Sequence, residues 1–137
     1  MKAPVAILAV ALALASCAHY IPPPTYRYPH DRMPAGILEG IMRAESEGYR
    51  WAIGDDGHSK GPYQINERWH AYYARKYGEY GPFNLVQARH VASLILRDNY
   101  RQLGVWDWSI SAYRWGVAGF RRHGLDAAYL RKVKGKR

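Results

Sequence analysis

The chain has 137 residues, 48% hydrophobic and 23% charged, which fits one globular domain and excludes both wholesale disorder and a two-domain build. Five Trp and twelve Tyr exceed what so small a core needs, and exposed aromatic rings stack on the apolar faces of sugars or bases. A net charge of +9 predicts attraction to a polyanion or an acidic surface, while a single cysteine excludes an intrachain disulfide framework and a thiolate pair for zinc.

The chain opens with Lys2, an apolar run from Ala3 to Ala15 and then small residues, the layout of a secretory signal over residues 1–16. The run is too short to span a bilayer. Leu14-Ala15-Ser16-Cys17 follows, and it resembles the lipobox of bacterial lipoprotein precursors, in which the cysteine is acylated and becomes the first residue. That resemblance implies a membrane-attached lipid anchor at Cys17, and Ala18 behind it implies delivery to the outer membrane, on its periplasmic face. Lipidation also accounts for an unpaired thiol in a secreted chain. Loss of the leader removes Lys2 and no acid, so the charge falls only from +9 to +8 and the basic character belongs to the mature part. Residues 17–34 carry Pro22, Pro23, Pro24, Pro29 and Pro34 with Tyr26 and Tyr28 between them, a composition that favours extended chain. They read as a proline-rich tether or as an arm packed through its tyrosines.

From residue 35 onward apolar residues recur at helical spacing and no strand-like run exceeds a few residues, so the expectation is an all-α domain over 35–137. The first helix is predicted from Pro34 to Glu47, with proline in its first turn. On it Ile37, Leu38, Ile41, Met42 and Ala44 form one apolar sector, and Glu45 falls within about 20° of its centre. Glu39, Arg43 and Glu47 lie opposite, at i, i+4 spacing suited to pairing in solvent. Glu45 is therefore a carboxylate on the wrong face. Poor hydration of its charged form would raise its pKa and keep a proton available near neutral pH, as a general acid requires.

A loop, Gly54-Asp55-Asp56-Gly57-His58-Ser59-Lys60-Gly61, separates this helix from a second predicted between Asn66 and Lys76. Asn84-Leu85-Val86-Gln87 has the form of a capping box opening a long helix to Leu103, with Leu85, Ala88, Val91, Ala92 and Ile95 as its buried stripe and Gly104 as its stop. Asp107 is placed to cap a helix through Trp115 that Gly116 ends, and Asp126 to cap a last one through Val133. The six histidines include no His-Glu-x-x-His spacing, and the chain carries no nucleotide or redox cofactor motif, so no cofactor or metal is expected.

Three segments together resemble the superfamily of lysozyme-like lytic transglycosylases and goose-type lysozymes: Ala44-Glu45-Ser46, Gly61-Pro62-Tyr63-Gln64-Ile65 and Ser111-Ala112-Tyr113-Arg114-Trp115-Gly116. They occur in that family's order and spacing. The resemblance implies a lysozyme-like helical fold and an enzyme acting on the glycan strands of peptidoglycan. In it Glu45 protonates the β-1,4 bond between N-acetylmuramic acid and N-acetylglucosamine. Gln64, with Tyr63 beside it, would contact substrate, and the Tyr113 hydroxyl would orient the acid. Ser46 would be a local hydrogen-bonding partner at the site rather than a nucleophile, since no His and Asp accompany it.

Two departures from the family bear on the chemistry. Its usual Asn after Tyr113 is Arg114, followed by bulky Trp115, which changes that corner of the substrate site. The Gly-Asp-x-Gly of the loop is closer to goose-type lysozymes, whose second acid falls at Asn66 here, leaving Asp55 as the remaining match. Asn cannot act as a base. The resemblance thus implies a lytic transglycosylase forming a 1,6-anhydro product, with a muramidase using Asp55 as the alternative. A third reading is a catalytically silent lipoprotein that holds glycan and anchors membrane to wall. A nucleic-acid binder would explain the charge, but no nucleic-acid motif is present and the leader directs the chain away from nucleic acid. Small members of the family often serve secretion or conjugation machines, which makes such a machine a candidate partner.

Overall fold

The computed structural model describes residues 32–135 apart from Glu79. The leader, Cys17 and the tether up to Asp31, Tyr26 and Tyr28 included, lie outside the described residues. The described part is mostly helical. Five helices, α1 (Ile37–Ser46), α2 (His70–Tyr77), α3 (Leu85–Leu103), α4 (Trp106–His123) and α5 (Ala127–Lys134), accompany three strands of two residues each. The strands are β1 (Ile53–Gly54), β2 (Ser59–Lys60) and β3 (Ile65–Asn66), joined as an antiparallel sheet in sequence order. Ile53 pairs with Lys60 and Gly54 with Ser59; Ser59 pairs with Asn66 and Lys60 with Ile65. This small sheet corrects the all-helical expectation, because a two-residue strand carries no readable alternation.

The core forms where α1 lies along α5 and α3 along α4. Ile41, Leu96, Ile110 and Val133 are fully buried there, and Leu38, Met42 and Ala44 pack against them as the apolar sector of α1 predicted. Several ends differ from expectation. α1 begins at Ile37 rather than Pro34, because Gly36 at φ 80° breaks the helical path just before it. Its outer charges do not pair among themselves: Glu39 bonds Arg89 at 2.7 Å, and Arg43 donates to the Val133 carbonyl at 3.4 Å. Leu85, expected in the stripe of α3, is exposed at the helix start.

Asn84 caps α3 as expected, accepting from the Gln87 N–H at 3.1 Å, but the Gln87 side chain accepts instead from Gly81 N–H at 2.7 Å. The box therefore also fastens the preceding turn. Asp126 caps α5 through the Tyr129 N–H at 2.9 Å. Asp107 makes no cap; it sits inside the first turn of α4 and pairs with Lys134 at 2.6 Å. Gly116 stops the first helical stretch of α4 as expected, leaving the helical path at φ 71° and ψ 165°, and a second stretch follows it to His123. A side chain resists that φ, so glycine there permits the sharp turn between the two stretches.

Candidate active site

One residue beyond Glu45 α1 stops, and Glu47 and Gly48, at φ 53° and 84°, turn the chain away into the strand region. The Ser46 hydroxyl is shared between the Met42 carbonyl at 3.1 Å and the Pro62 carbonyl at 2.8 Å. It therefore ties the end of α1 to the segment between β2 and β3. Ser46 is thus a local hydrogen-bonding partner engaged with the protein's own backbone, and it does not line the groove described next.

A groove of about 780 Å³ opens between the small sheet, α2, α3 and α4, and Glu45, Asp55, Gln64 and Tyr113 all line it. Half-buried Glu45 accepts a hydrogen bond from the Tyr129 hydroxyl on α5 at 2.5 Å. Burial raises the Glu45 carboxyl above its ordinary value. The Tyr129 hydrogen bond and then the Arg114 charge pull it down, the charge of Asp55 adds to the rise, and Lys132 opposes it weakly. Desolvation wins. Tyr129 itself is pushed far above the usual phenol range, by burial first and by Glu45 second, so it stays a donor. Glu45 also borders a second, smaller cavity of about 160 Å³ with Arg114, Tyr129 and Lys132.

The resemblance assigns the orienting hydroxyl to Tyr113. In the structure that hydroxyl donates to the Tyr63 carbonyl at 2.8 Å, and Tyr129 holds the acid. Tyr113 remains a groove wall close enough to Glu45 for the acid's charge, after burial, to raise its own pKa. Tyr63 is a second correction. Its ring is 1% exposed and belongs to the core, with Arg89 at 3.5 Å from its hydroxyl, so it supports the groove from behind instead of contacting a ligand. Sequence reasoning missed Tyr129. Its signal was available only as a hydroxyl on the apolar stripe it shares with Leu130 and Val133.

The strands place the two remaining candidates. Asp55 follows β1 directly and is exposed, while Gln64 precedes β3 and is half-buried. Asp55 and Asp56 adopt φ 48° and 53°, a left-handed pair that costs about 1–2 kcal/mol per ordinary residue and that Asp tolerates through local hydrogen bonds. Such a bond is present: the Ser59 hydroxyl donates to the Asp55 carboxylate. Gln64, at φ 48°, folds its side chain back so that Nε2 donates to the Gly61 carbonyl at 2.8 Å. Its Oε1 lies against Gly54, where a Cβ would approach to 2.3 Å, so only glycine leaves room for this arrangement. Lys60 at 2.7 Å and His58 at 2.8 Å brace Glu67 across β2 and β3, Lys60 foremost in holding that exposed carboxyl down to about 2. Asn66, at the position of the missing second acid, accepts from the Arg68 N–H at 3.1 Å.

Exposed aromatic rings edge the groove, Trp69 and Tyr72 from one side and Trp115 from the other. Arg68 lies 5.6 Å over the Trp69 ring, and Arg114 pairs with Asp126 at 3.0 Å. Flat rings beside cations suit an extended ligand with apolar faces and anionic substituents. Among the described residues no three His, Cys, Asp or Glu side chains gather as a metal site. The arrangement offers one protonatable carboxyl, held by a hydroxyl and open to a long groove, with a carboxylate in the same groove. Comparison with models of protein families, with curated proteins and with solved structures finds no match to this chain.

Proposed function

We propose that this chain is a peptidoglycan lytic transglycosylase with a lysozyme-like helical domain, and that Glu45 is its general acid. The observation that carries the proposal is a single one: a desolvated carboxyl at the end of an apolar helix, hydrogen-bonded at 2.5 Å and opening into a groove edged by aromatic rings. A general acid needs a proton held above the ordinary carboxyl range and a leaving oxygen within hydrogen-bond reach; burial raises this carboxyl, and the groove leaves room for the oxygen. Gln64 and the Trp69, Tyr72 and Trp115 rings would contact sugar. Tyr129 would position the acid.

The step after protonation separates lyase from hydrolase. In the lyase Glu45, having given up its proton, takes one from the muramic acid 6-hydroxyl, whose oxygen closes on the anomeric carbon as the glycosidic bond breaks. The product is a 1,6-anhydro sugar, one water lighter than the hydrolytic product. An inverting hydrolase instead needs a second carboxylate about 6.5–9.5 Å from the acid to activate water. Asn66 is spent on a helix cap and cannot serve, and Asp55 is exposed and bonded by Ser59. This favours the lyase. Mass spectrometry of muropeptides released from purified wall should therefore find anhydro ends, with Asp55→Asn retaining much of the activity. Reducing ends together with a dead Asp55→Asn enzyme would make the protein a muramidase instead. Wall that is bound but never cut would make it the silent glycan-holding lipoprotein.

The same reading places the protein on the periplasmic face of the outer membrane, anchored through lipid at Cys17, where glycan strands are within reach and where it could serve a secretion or conjugation machine. Labelled palmitate should enter the wild-type chain, and Cys17→Ser should leave membranes for a soluble or unprocessed pool. A wild-type chain that takes up no label would refute the anchor without touching the assignment of Glu45.

A further inference from the structure

The smaller cavity beside Glu45, about 160 Å³, is bounded by Ala44 and Glu45 from α1, Arg114 from α4, and Ala128, Tyr129 and Lys132 from α5. Glu45 and Arg114 also line the groove, so the two spaces meet at the acid. The cavity is below the size of a ligand pocket, about 300 Å³ upward, and takes a single substituent rather than a ring. Its walls are cationic. Arg114 is held in place: its Nη1 donates to Asp126 Oδ2 at 3.0 Å, Asp126 Oδ1 accepts from the Tyr129 N–H at 2.9 Å, and the guanidinium lies 6.0 Å over the Tyr129 ring. That engages one edge of the guanidinium and leaves further N–H donors for a ligand. Lys132, a turn along α5 from Tyr129, enters no ion pair among the described residues, and the carboxyl its charge reaches is Glu45. Arg114 is also where the chain departs from the family it resembles, so this cationic wall is its own.

We propose that this cavity is a carboxylate site, in which Arg114 and Lys132 hold an acidic group of the peptide stem on muramic acid while the glycan lies in the groove. A guanidinium fixed in orientation and an ammonium on a flexible stem together suit a carboxylate. The inference rests on the glycan reading and extends it by naming the strands that are preferred, those that carry peptide. It also links the peptide to the acid. Burial raises the Glu45 carboxyl most; Tyr129 donates to it, Arg114 and Lys132 pull it down, Asp55 pushes it up, and Tyr113 lies beside it as a neutral phenol. A carboxylate seated on the two cations offsets their pull, so the acid keeps its proton to higher pH when peptide is bound.

The test compares cleavage of purified wall by the full chain with cleavage of the same wall after its peptide carboxylates are converted to carboxamides, which keeps the shape and removes the charge. Native wall should be cut about tenfold faster at neutral pH, and the alkaline limb of its pH–rate profile should lie higher. Arg114→Gln and Lys132→Gln should each cut the preference to about threefold or less. Arg121→Gln removes an equal charge from an exposed position outside the cavity and should keep the preference. If the two walls are cut equally with coincident limbs, if the preference survives both cavity variants, or if Arg121→Gln abolishes it as well, the carboxylate site is overturned and the glycan reading stands. If neither wall is cut, both fall. The wild-type comparison and the exposed Lys132 variant decide the matter even should Arg114→Gln fail to fold.

Discussion

Glu45→Gln is expected to lower wall-cleaving turnover by about a hundred- to ten-thousand-fold, the usual worth of a positioned acid, while leaving the helical fold intact. Gln keeps the shape and can still accept from Tyr129, but it has no transferable proton. A second consequence follows from the raised pKa of Glu45, whose largest cause is burial. Because the folded state holds this proton more tightly than the unfolded one, folding stability declines as pH rises from the unfolded pKa through the folded one. Replacing the acid by a neutral amide removes that penalty. Thermal denaturation should therefore find Glu45→Gln more stable than wild type above the folded pKa, with the advantage disappearing in acid below the ordinary carboxyl value. An active site that is strained for function commonly behaves in this way. Near-normal cleavage by the variant would sink the assignment, and a stability gap independent of pH would refute the desolvated carboxyl.

Tyr129→Phe carries the next largest expected effect, about ten- to hundredfold in turnover, the range for losing a hydrogen bond to a charged group. The hydroxyl occupies Oε1 of Glu45 at 2.5 Å and so sets which oxygen remains for the proton. It also favours the ionised acid, second only to burial in its influence and opposite in sign. Removing it leaves burial less opposed, so the Glu45 pKa should climb further. Activity that needs the protonated acid falls as pH passes that pKa, and the alkaline limb of the pH–rate profile should therefore move to higher pH in Tyr129→Phe. A purely structural role would lower the rate without moving the limb. Tyr113→Phe provides the contrast: its hydroxyl bonds the Tyr63 carbonyl, and its loss should leave the limb in place.

The sequence by itself determined what depends on near neighbours. Helical periodicity, the caps at Asn84 and Asp126 and the stop at Gly104 are decided within a turn or so of chain, and all are present. So is the inward direction of Glu45, which follows from its angle around α1 alone. Tertiary structure decided what depends on distant partners. Tyr129 is 84 residues from the acid it holds, and only the packing of α5 along α1 brings the two together. Tyr63 was read beside Gln64 because they adjoin in sequence, yet the left-handed turn at Gln64 sends the two side chains apart, one into the core and one into the groove. The three strands draw their stability from one another and from Lys60 and His58 on Glu67, not from any pattern within two residues. Gly116 marks the helix stop correctly, but the second helical stretch after it was not legible, since whether a helix starts again is settled by what its first turn packs against. In the structure Phe120, beyond the break, meets Trp108 before it at 5.8 Å, and twelve residues of unbroken helix would hold the two about 18 Å apart, so the stretch after Gly116 turns back on the one before it.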